Sequence, residues 1–319
     1  MTAVQRVVAV TPNPAVDVTY RVAEQRLGET VRVQEVIRRP GGKGVNVARV
    51  LAALGVPVVA LQPVGGPTGD LVSAGLAQLG VEAVLVPSPV ETRTTVAVVD
   101  DLSHPTLLSE PGGHQPPAVW DRLVAAVARL AVPRGWVVVS GSLPPGTPDG
   151  RMHDLVAAAR DAGSRVLVDS SGPALLAAAS AGVDVLGPNA AEALEATGTT
   201  GLDAAAEALL DAGAGTVVVS RGGDGLTAWT ADRSRLDQPA VPGVTGNPTG
   251  AGDAATAGLV AALGRGATPA DALREAAVTG AAAVLAPVAG EVDPDVLAGL
   301  ADRLPTSGAP PLPTTPRTR

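Results

Sequence analysis

The chain has 319 residues, enough for one large α/β domain with a substantial core and a small appendage. Hydrophobic residues at 46% and charged residues at 17% mark a folded globular protein, while 1% aromatics and no Phe exclude a base-stacking nucleic-acid platform. A net charge of -8 supplies no field drawing the chain to nucleic acid or anionic membranes, and the absence of Cys excludes disulfides and thiolate metal sites.

The start, Met1-Thr-Ala-Val-Gln-Arg6, lacks the basic and apolar stretches of a secretory signal, so a cytoplasmic location is expected. Arg6-Val-Val-Ala-Val10 reads as a buried strand and runs into Thr11-Pro-Asn-Pro-Ala-Val-Asp17. From Val16 to Val36, and again from Thr94 to Ser109, apolar and polar residues alternate without a good helix, which predicts a small antiparallel lid. A lone small sheet is marginal in water, so the lid must cover a substrate or a second subunit, and a homodimer through the lid is expected. Helical spacing follows the Pro40-Gly-Gly-Lys-Gly44 turn over Gly44–Leu54, and recurs over Gly69–Leu79 and Ala118–Leu130. Trp136–Ser140, Arg165–Asp169, Val183–Leu186 and Thr216–Ser220 are short β-branched runs suited to parallel strands, with helical spacing over Leu202–Ala212.

This alternation predicts an α/β doubly wound sheet. In such sheets ligands gather beyond the strand carboxyl ends, so Ser140, Asp169 and Ser220 point to one rim. The apolar run Ala276–Gly290 is too short and too Pro-interrupted to span a bilayer. Beyond Leu304 the chain becomes rich in Pro, Thr and Ser, giving a single domain over 1–303, with the lid at 16–36 and 94–109, and a disordered tail over 304–319.

The segment most informative about chemistry is Gly246-Asn-Pro-Thr-Gly-Ala-Gly-Asp-Ala-Ala255, a glycine turn opening a helix over Ala254–Leu263. Free amides and the positive dipole end of that helix allow Gly250, Ala251 and Gly252 to cradle a phosphate. Asp253, at the same mouth, is placed to take a proton from an attacking hydroxyl. The same residues also fit a plain helix cap, and Gly250-Ala-Gly-Asp-Ala-Ala255 satisfies a loose dinucleotide-binding pattern, although the stretch before it is a poor buried strand. Near the other end, Gly41 and Gly42 allow close backbone approach while Asp17 and Asn46 can hydrogen-bond a polyol. As a bland alternative, the two glycines form only a turn. Gly41-Gly-Lys-Gly44 has no Ser or Thr after the Lys, so it is not a Walker A loop.

Taken in order, Gly41-Gly-Lys-Gly-Val-Asn-Val-Ala-Arg49 and Asn247-Pro-Thr-Gly-Ala-Gly-Asp253 resemble the two signatures of the ribokinase-like, PfkB-type carbohydrate kinases, with likeness from residue 4 to about residue 300. Thr11-Pro-Asn-Pro-Ala-Val-Asp17, Glu91-Thr-Arg-Thr94, Ser140-Gly-Ser-Leu-Pro-Pro-Gly146 and Asp169-Ser-Ser-Gly172 are most similar to the phosphosugar branch of tagatose-6-phosphate kinase, 1-phosphofructokinase and the minor 6-phosphofructokinase. The resemblance implies a mainly parallel sheet sandwiched by helices with a β lid, ATP and Mg2+ as cosubstrate and cofactor, and Asp253 as catalytic base with Gly250, Ala251 and Gly252 as anion hole. It further implies that Asp17, Gly41, Gly42, Asn46 and Ser142 hold the sugar. Asn189 and Glu192 match the family's Asn-x-x-Glu element, which serves the nucleotide and, through Glu192, Mg2+ indirectly; Ser220, Gly222 and Gly225 match its nucleotide loop. The family usually has Lys where this chain has Gly187, removing a cation that would face ATP, and Arg221 is a candidate replacement.

An acidic protein that binds a sugar phosphate needs local cations, preferably Arg. Arg93 and Arg32 are the candidates, with Lys43 third. Arg32 lies in a segment resembling the tagatose-6-phosphate kinase lid, which places a ketohexose 6-phosphate (tagatose or fructose) phosphorylated at O1 ahead of fructose 1-phosphate phosphorylated at O6. His104, His114 and His153 have no metal-ligand spacing. A degenerate sugar or nucleotide sensor and a dinucleotide-dependent oxidoreductase remain the alternatives to a kinase.

Overall fold

The structure, a computed structural model, describes residues 6–26, 28–100, 106–286 and 290–304. In chain order its first half contains β1 (Val7–Val10), β2 (Ala15–Arg21), β3 (Glu35–Gly41), α1 (Lys43–Ala53), β4 (Val58–Val64), α2 (Gly66–Gln78), β5 (Glu82–Pro87), β6 (Arg93–Val99), β7 (Thr106–Ser109) and α3 (Pro117–Leu130). There follow β8 (Trp136–Ser140), α4 (Arg151–Asp161), β9 (Arg165–Asp169), α5 (Pro173–Ser180), β10 (Val185–Leu186), α6 (Ala190–Thr197), α7 (Leu202–Asp211) and β11 (Thr216–Ser220). The last elements are β12 (Leu226–Thr230), β13 (Arg235–Gln238), α8 (Ala251–Gly264), α9 (Pro269–Leu285) and α10 (Pro294–Ala301).

The described residues form a nine-stranded sheet in the order β13-β12-β11-β10-β9-β8-β1-β4-β5 and a four-stranded sheet in the order β3-β2-β6-β7. The large sheet is parallel except for β12 and β13, which return as a hairpin at one edge. Its central strands are buried on both faces, which is why they read as unbroken Val-rich runs. Alternate residues serve opposite layers. Val8, Val10, Val137 and Val139 pack with Trp120 of α3 and Leu155 of α4, while Val7, Ala9, Trp136 and Val138 pack with Leu51 of α1 and Val260 of α8.

Two expectations about the lid need correction. The segment 16–36 is not one strand region: β2 ends at Arg21, residues 22–26 and 28–34 lie outside strands, and β3 runs on to Gly41. Nor is the lid purely antiparallel, because β2 and β6 pair in parallel, Ala15 opposite Arg93 through Arg21 opposite Val99. Both strands leave the large sheet in the same sense, β2 after β1 and β6 after β5, so they arrive side by side with one direction. β4 was hidden in the sequence because the fully buried Gln62 and then Pro63 interrupt its apolar pattern.

Leu304, assigned to the tail from sequence, is buried at 4% exposure beside Leu300 of α10. The rest of the expected tail, 305–319, together with 1–5 and 287–289 of the expected domain and 27 and 101–105 of the expected lid, lies outside the described residues. Among the described residues no helix is long and apolar enough to cross a membrane.

Candidate active site

The strand order reverses direction at β1. From it the chain steps outward through β4 and β5, then returns to β8 on the other side and continues through β9, β10 and β11. A crevice therefore opens beyond the carboxyl ends of β1 and β8, the usual ligand position in an open α/β sheet. The N-termini of α1, α6 and α8 all begin beside it, bringing three positive dipole ends to one cleft.

At the cleft floor the Asn46 side-chain amide donates to Asp253 Oδ2 at 2.8 Å. Asn46 sits one turn into α1 and Asp253 in the first turn of α8, and both are buried. Burial, reinforced by the Asp169 charge, pushes the Asp253 carboxyl up to about 7 against the opposing pull of Lys43. That is the range a general base needs near neutral pH. Gly250, the α8 N-cap, holds a left-handed conformation that turns the chain into the helix. The Ala251 amide donates to the Pro248 carbonyl at 3.1 Å, so it is engaged within the turn. Gly250 and Gly252 amides have no acceptor among the described residues. This corrects the three-amide cradle to one centred on the glycines, since the tight turn itself consumes the middle donor.

On the lid side, Asp17 of β2 is held against the Gly41–Gly42 turn. It accepts from the Gly42 amide, and burial raises its carboxyl to about 6 against the pull of Arg93 and Arg49. Gly41 is required here by contact: a Cβ on it would lie 2.1–2.4 Å from the Asp17 carboxyl atoms. Arg93, at the start of β6, donates to the Asn13 carbonyl at 3.2 Å and the Glu110 carbonyl at 2.8 Å, while Asn13 Nδ2 donates to Ser142 Oγ at 3.3 Å. Arg93 and Ser142 are thus brought to one wall. An open cavity of about 410 Å³ lies outside that wall, lined by Arg93, Glu91, Glu110 and Gly112 among others; it approaches the cleft from the lid and does not contain Asp253.

On the opposite side, Lys43 Nζ donates to Asp169 Oδ1 at 3.0 Å and to Glu192 Oε1 at 3.2 Å. Burial opposes the Lys43 charge, but Asp169, Asp253 and Glu192 outweigh it and raise its pKa. Burial pushes Asp169 up as well, with Lys43 and the Ser140 hydroxyl, 3.2 Å away, pulling it back. Asn189 and Glu192 form a reciprocal capping box at the start of α6, which satisfies the helix end and leaves Glu192 Oε1 for Lys43. Ser220 bridges Asn189 at the end of β11. Gly222 and Gly225 follow, and Gly225 (φ +90°) passes so close to the next hairpin that a Cβ would lie 2.1 Å from the Gln238 carbonyl oxygen.

Asp17, Gly41, Gly42, Asn46, Arg93, Ser142 and Asp253 are therefore drawn to one cleft, with Asn189, Glu192, Ser220, Gly222 and Gly225 along its other rim. Arg32 is not. It precedes β3 and is exposed, whereas the cleft end of that strand is Gly41, about 20 Å beyond Glu35 along an extended chain. Lys43 belongs with Asp169 and Glu192, not with the lid arginines, because it occupies the first helical position of α1 and points away from β2. Arg221 turns to Asp237 on β13, 3.8 Å away, and does not replace a cation at Gly187. Asp169, Arg39 and Arg49 were missed from sequence as site residues. Asp169 was readable as a strand end on the rim, but nothing in its surroundings announced Lys43 as its partner.

No group of three or more His, Asp or Glu side chains that could hold a metal occurs among the described residues. The donor set on the rim, two carboxylates shared by one Lys, fits a Mg2+ that keeps waters and substrate phosphates as its main ligands.

A profile for the pfkB family carbohydrate kinases matches residues 10–295. The chain is 35% identical to the 1-phosphofructokinase of Rhodobacter capsulatus, an alignment covering 96% of this chain and 99% of that one. Among solved structures, phosphofructokinase-2 from Escherichia coli in complex with fructose-6-phosphate superposes with a TM-score of 0.85 at 28% identity, over 94% of this chain and 99% of the other. The ribokinase of Arabidopsis thaliana complexed with ribose and ATP shares the fold, with a TM-score of 0.73 at 22% identity over 94% and 99% of the two chains. The architecture is the ribokinase-like α/β fold. The chain belongs to the pfkB family of carbohydrate kinases and is a sugar-phosphate kinase, a phosphotransferase acting on an alcohol group.

Proposed function

We propose that this kinase transfers the γ-phosphoryl group of ATP to O6 of fructose 1-phosphate, with Asp253 as general base. The observation that carries the reading is the buried 2.8 Å hydrogen bond from Asn46 to Asp253, which joins the polyol side of the cleft to the mouth of α8. A sugar hydroxyl placed between these groups gives its proton to Asp253 as its oxygen bonds to the γ-phosphorus and the bond to the β-phosphate oxygen breaks. The free Gly250 and Gly252 amides and the α8 dipole face the charge that develops on the transferring group. Asp17, Asn46 and the Gly41–Gly42 backbone hold the sugar hydroxyls, while Arg93 and Ser142 receive its phosphate. Asn189, Ser220, Gly222 and Gly225 line the nucleotide's path.

Asp169 and Glu192 would hold Mg2+ through water or phosphate, and the ion, when bound, neutralises phosphate charge. Lys43, at 3.0 and 3.2 Å from these two carboxylates, would stand beside them as a cation facing the ATP phosphates. It takes the part that Gly187 leaves open. The catalytic unit is one domain that reaches Leu304, with the β lid covering the sugar and forming a homodimer contact.

The choice of acceptor follows from Arg32, whose distance from the cleft removes the support for a 6-phosphate, and from the 35% identity to a protein named 1-phosphofructokinase. The likeness to a structure holding fructose-6-phosphate supports a second reading, transfer to O1 of fructose 6-phosphate. A coupled ADP-release assay over fructose 1-phosphate, fructose 6-phosphate and tagatose 6-phosphate tests the choice. The highest kcat/KM is expected with fructose 1-phosphate. A clear preference for either 6-phosphate selects the O1 reading, and ADP release that ignores every sugar phosphate rejects both.

A further inference from the structure

Beside the cleft, one carboxylate ties together three elements. Glu291, between α9 and α10, accepts at Oε1 from Arg49 Nη2 of α1 at 3.1 Å, and the same oxygen accepts from Arg39 Nη1 of lid strand β3. The Arg49 side chain is only 6% exposed, and burial together with the nearby Arg39 charge lowers it to about 10 against the attraction of Asp17. Two guanidinium groups share this space because a carboxylate lies between them. The preceding residue, Gly290 (φ +71°), abuts the catalytic floor: a Cβ there would lie 2.7 Å from Asn46 Oδ1 and 2.9 Å from Asn46 Cβ. Arg39 pairs with Asp17 across β2 and β3 and so shares its face of the lid. A single short stretch of chain thus backs the Asn46 amide that holds Asp253 and also fastens the strand that ends at Gly41.

We infer that Glu291 is a positioning residue that holds β3 down over the sugar end of the cleft and thereby sets affinity for the sugar phosphate, not for ATP. The inference rests on the kinase reading above for its kinetic consequences. Without the Glu291 charge, Arg39 and Arg49 repel. Arg49 is anchored in α1 under the large sheet, whereas β3 is an edge strand of the lid, so the strand yields. Its movement carries away the Gly41 end and the register that sets Asp17.

Glu291→Gln keeps an acceptor but removes the charge. In the full-length enzyme it is expected to raise KM for the sugar phosphate about tenfold while leaving kcat and the ATP KM within about twofold. Arg39→Gln should raise the same KM, and the double variant should be no worse than the worse single one, because the repulsion is already gone. Glu291→Asp should recover part of the loss. Hydrogen exchange without ligand should be faster in β3 for Glu291→Gln and unchanged in β8 and β9. A merely structural residue would move both KM values and kcat together and loosen α1 and α10. That pattern, additive single effects, or unaltered β3 exchange with an unaltered sugar KM would overturn the inference. If the wild-type protein phosphorylates no sugar phosphate, the kinase reading fails on its own, and the β3 exchange comparison still decides whether Glu291 fastens the lid.

Discussion

Lys43 Nζ donates to Asp169 Oδ1 at 3.0 Å, joining the first residue of α1 to the last residue of β9 across the cleft. A Cβ built on Gly187 would have nothing nearer than Asp169 Cβ, Leu167 Cδ2 and Thr256 Oγ1, all at 3.9 Å, so there is room at 187 for a longer side chain beside the same carboxylate. Lys43 is the cation that this chain holds against Asp169, beside the space left at Gly187. Lys43→Met is expected to raise the ATP KM and lower kcat by about 10²-fold, because a fixed cation on the transferring phosphate contributes mainly in the transition state. Adding Gly187→Lys should return part of both. Steady-state kinetics with varied ATP reads this, and a Lys43→Met enzyme with wild-type ATP parameters would remove Lys43 from the nucleotide side.

The elevated Asp253 carboxyl makes two linked predictions about pH. As a base it works when ionised, so kcat/KM for the sugar phosphate should rise about tenfold per pH unit below about 7 and level off above it. Its folded value of about 7 lies above the ordinary 3.8, so the stability it contributes is full below pH 3.8 and is lost as pH rises through 7. Asp253→Asn, which cannot ionise, should lower turnover by about 10²–10⁴-fold and leave ATP protection intact. At pH 8 it should melt roughly 2–5 °C above wild type, a gain absent at pH 4. Turnover within a factor of three of wild type would defeat the assignment, as would a lower melting temperature at pH 8.

Much of the frame was legible because local chemistry decided it. Trp136–Ser140, Arg165–Asp169 and Thr216–Ser220 are strands over the expected residues, since strands buried on both faces must be continuously apolar and end where the cleft begins. The proximity of Asn46 and Asp253 followed from a shared family pattern, not from periodicity. What escaped was set by contacts between distant segments. Nothing in Arg39-Pro-Gly-Gly-Lys43 says which way two cations will face, yet Arg39 goes to Glu291 and Lys43 to Asp169 and Glu192. The parallel pairing of β2 with β6 is likewise fixed by how both strands leave the large sheet. Arg32 was singled out by the likeness of its segment to a family lid, which carries no information on how far β3 runs between Arg32 and Gly41.

Gly41 offers a substitution confined to one substrate. Its backbone is not left-handed, so Ala meets no backbone strain there, and the nearest conflict is with the Asp17 carboxyl 2.1–2.4 Å from the new Cβ. Asp17 must move off its Gly42 amide. Gly41→Ala is expected to raise the sugar-phosphate KM at least about tenfold while thermal protection by ATP with Mg2+ is kept. Loss of both protections together would show that the change disrupts α1 and that Asp17 is not a selective sugar contact.

Arg93 stands at the cleft wall beside Asn13, and burial lowers its pKa while Asp17 and Glu110 hold it charged. Its bonds to the Asn13 and Glu110 carbonyls fix the guanidinium without neutralising it. Arg93→Ala should therefore cost sugar-phosphate use far more than ATP binding, about 10²-fold in kcat/KM for the phosphorylated sugar. The unphosphorylated sugar, which has no phosphate to lose, should be used with unchanged kcat/KM. An equal fall for both sugars would place Arg93 in the lid's framework and not at the phosphate.

The lid also carries a face that continues outward from the site. Asp17, Arg39 and Thr95 lie in register near the cleft, and the next row on the same face is Thr19, Ile37, Ala97 and Leu107. Leu107 is 51% exposed, an aliphatic side chain at the end of a row that a single subunit leaves uncovered. Four short strands are a small sheet, and although the opposite face packs on α2 through Val16 and Val18 it leaves Val36 and Leu108 exposed, so the Leu107 row is chosen here because it continues directly from Asp17 and the cleft. Ile37→Glu with Leu107→Glu should convert a dimer to a monomer in size-exclusion chromatography with light scattering. Placing two charges against their own copies across a twofold contact disfavours association without touching the large sheet. With the lid in its proposed place over the sugar, the monomer should also show a raised sugar-phosphate KM. A wild-type protein that is already monomeric at micromolar concentration, or a double variant that remains dimeric, would move the contact elsewhere.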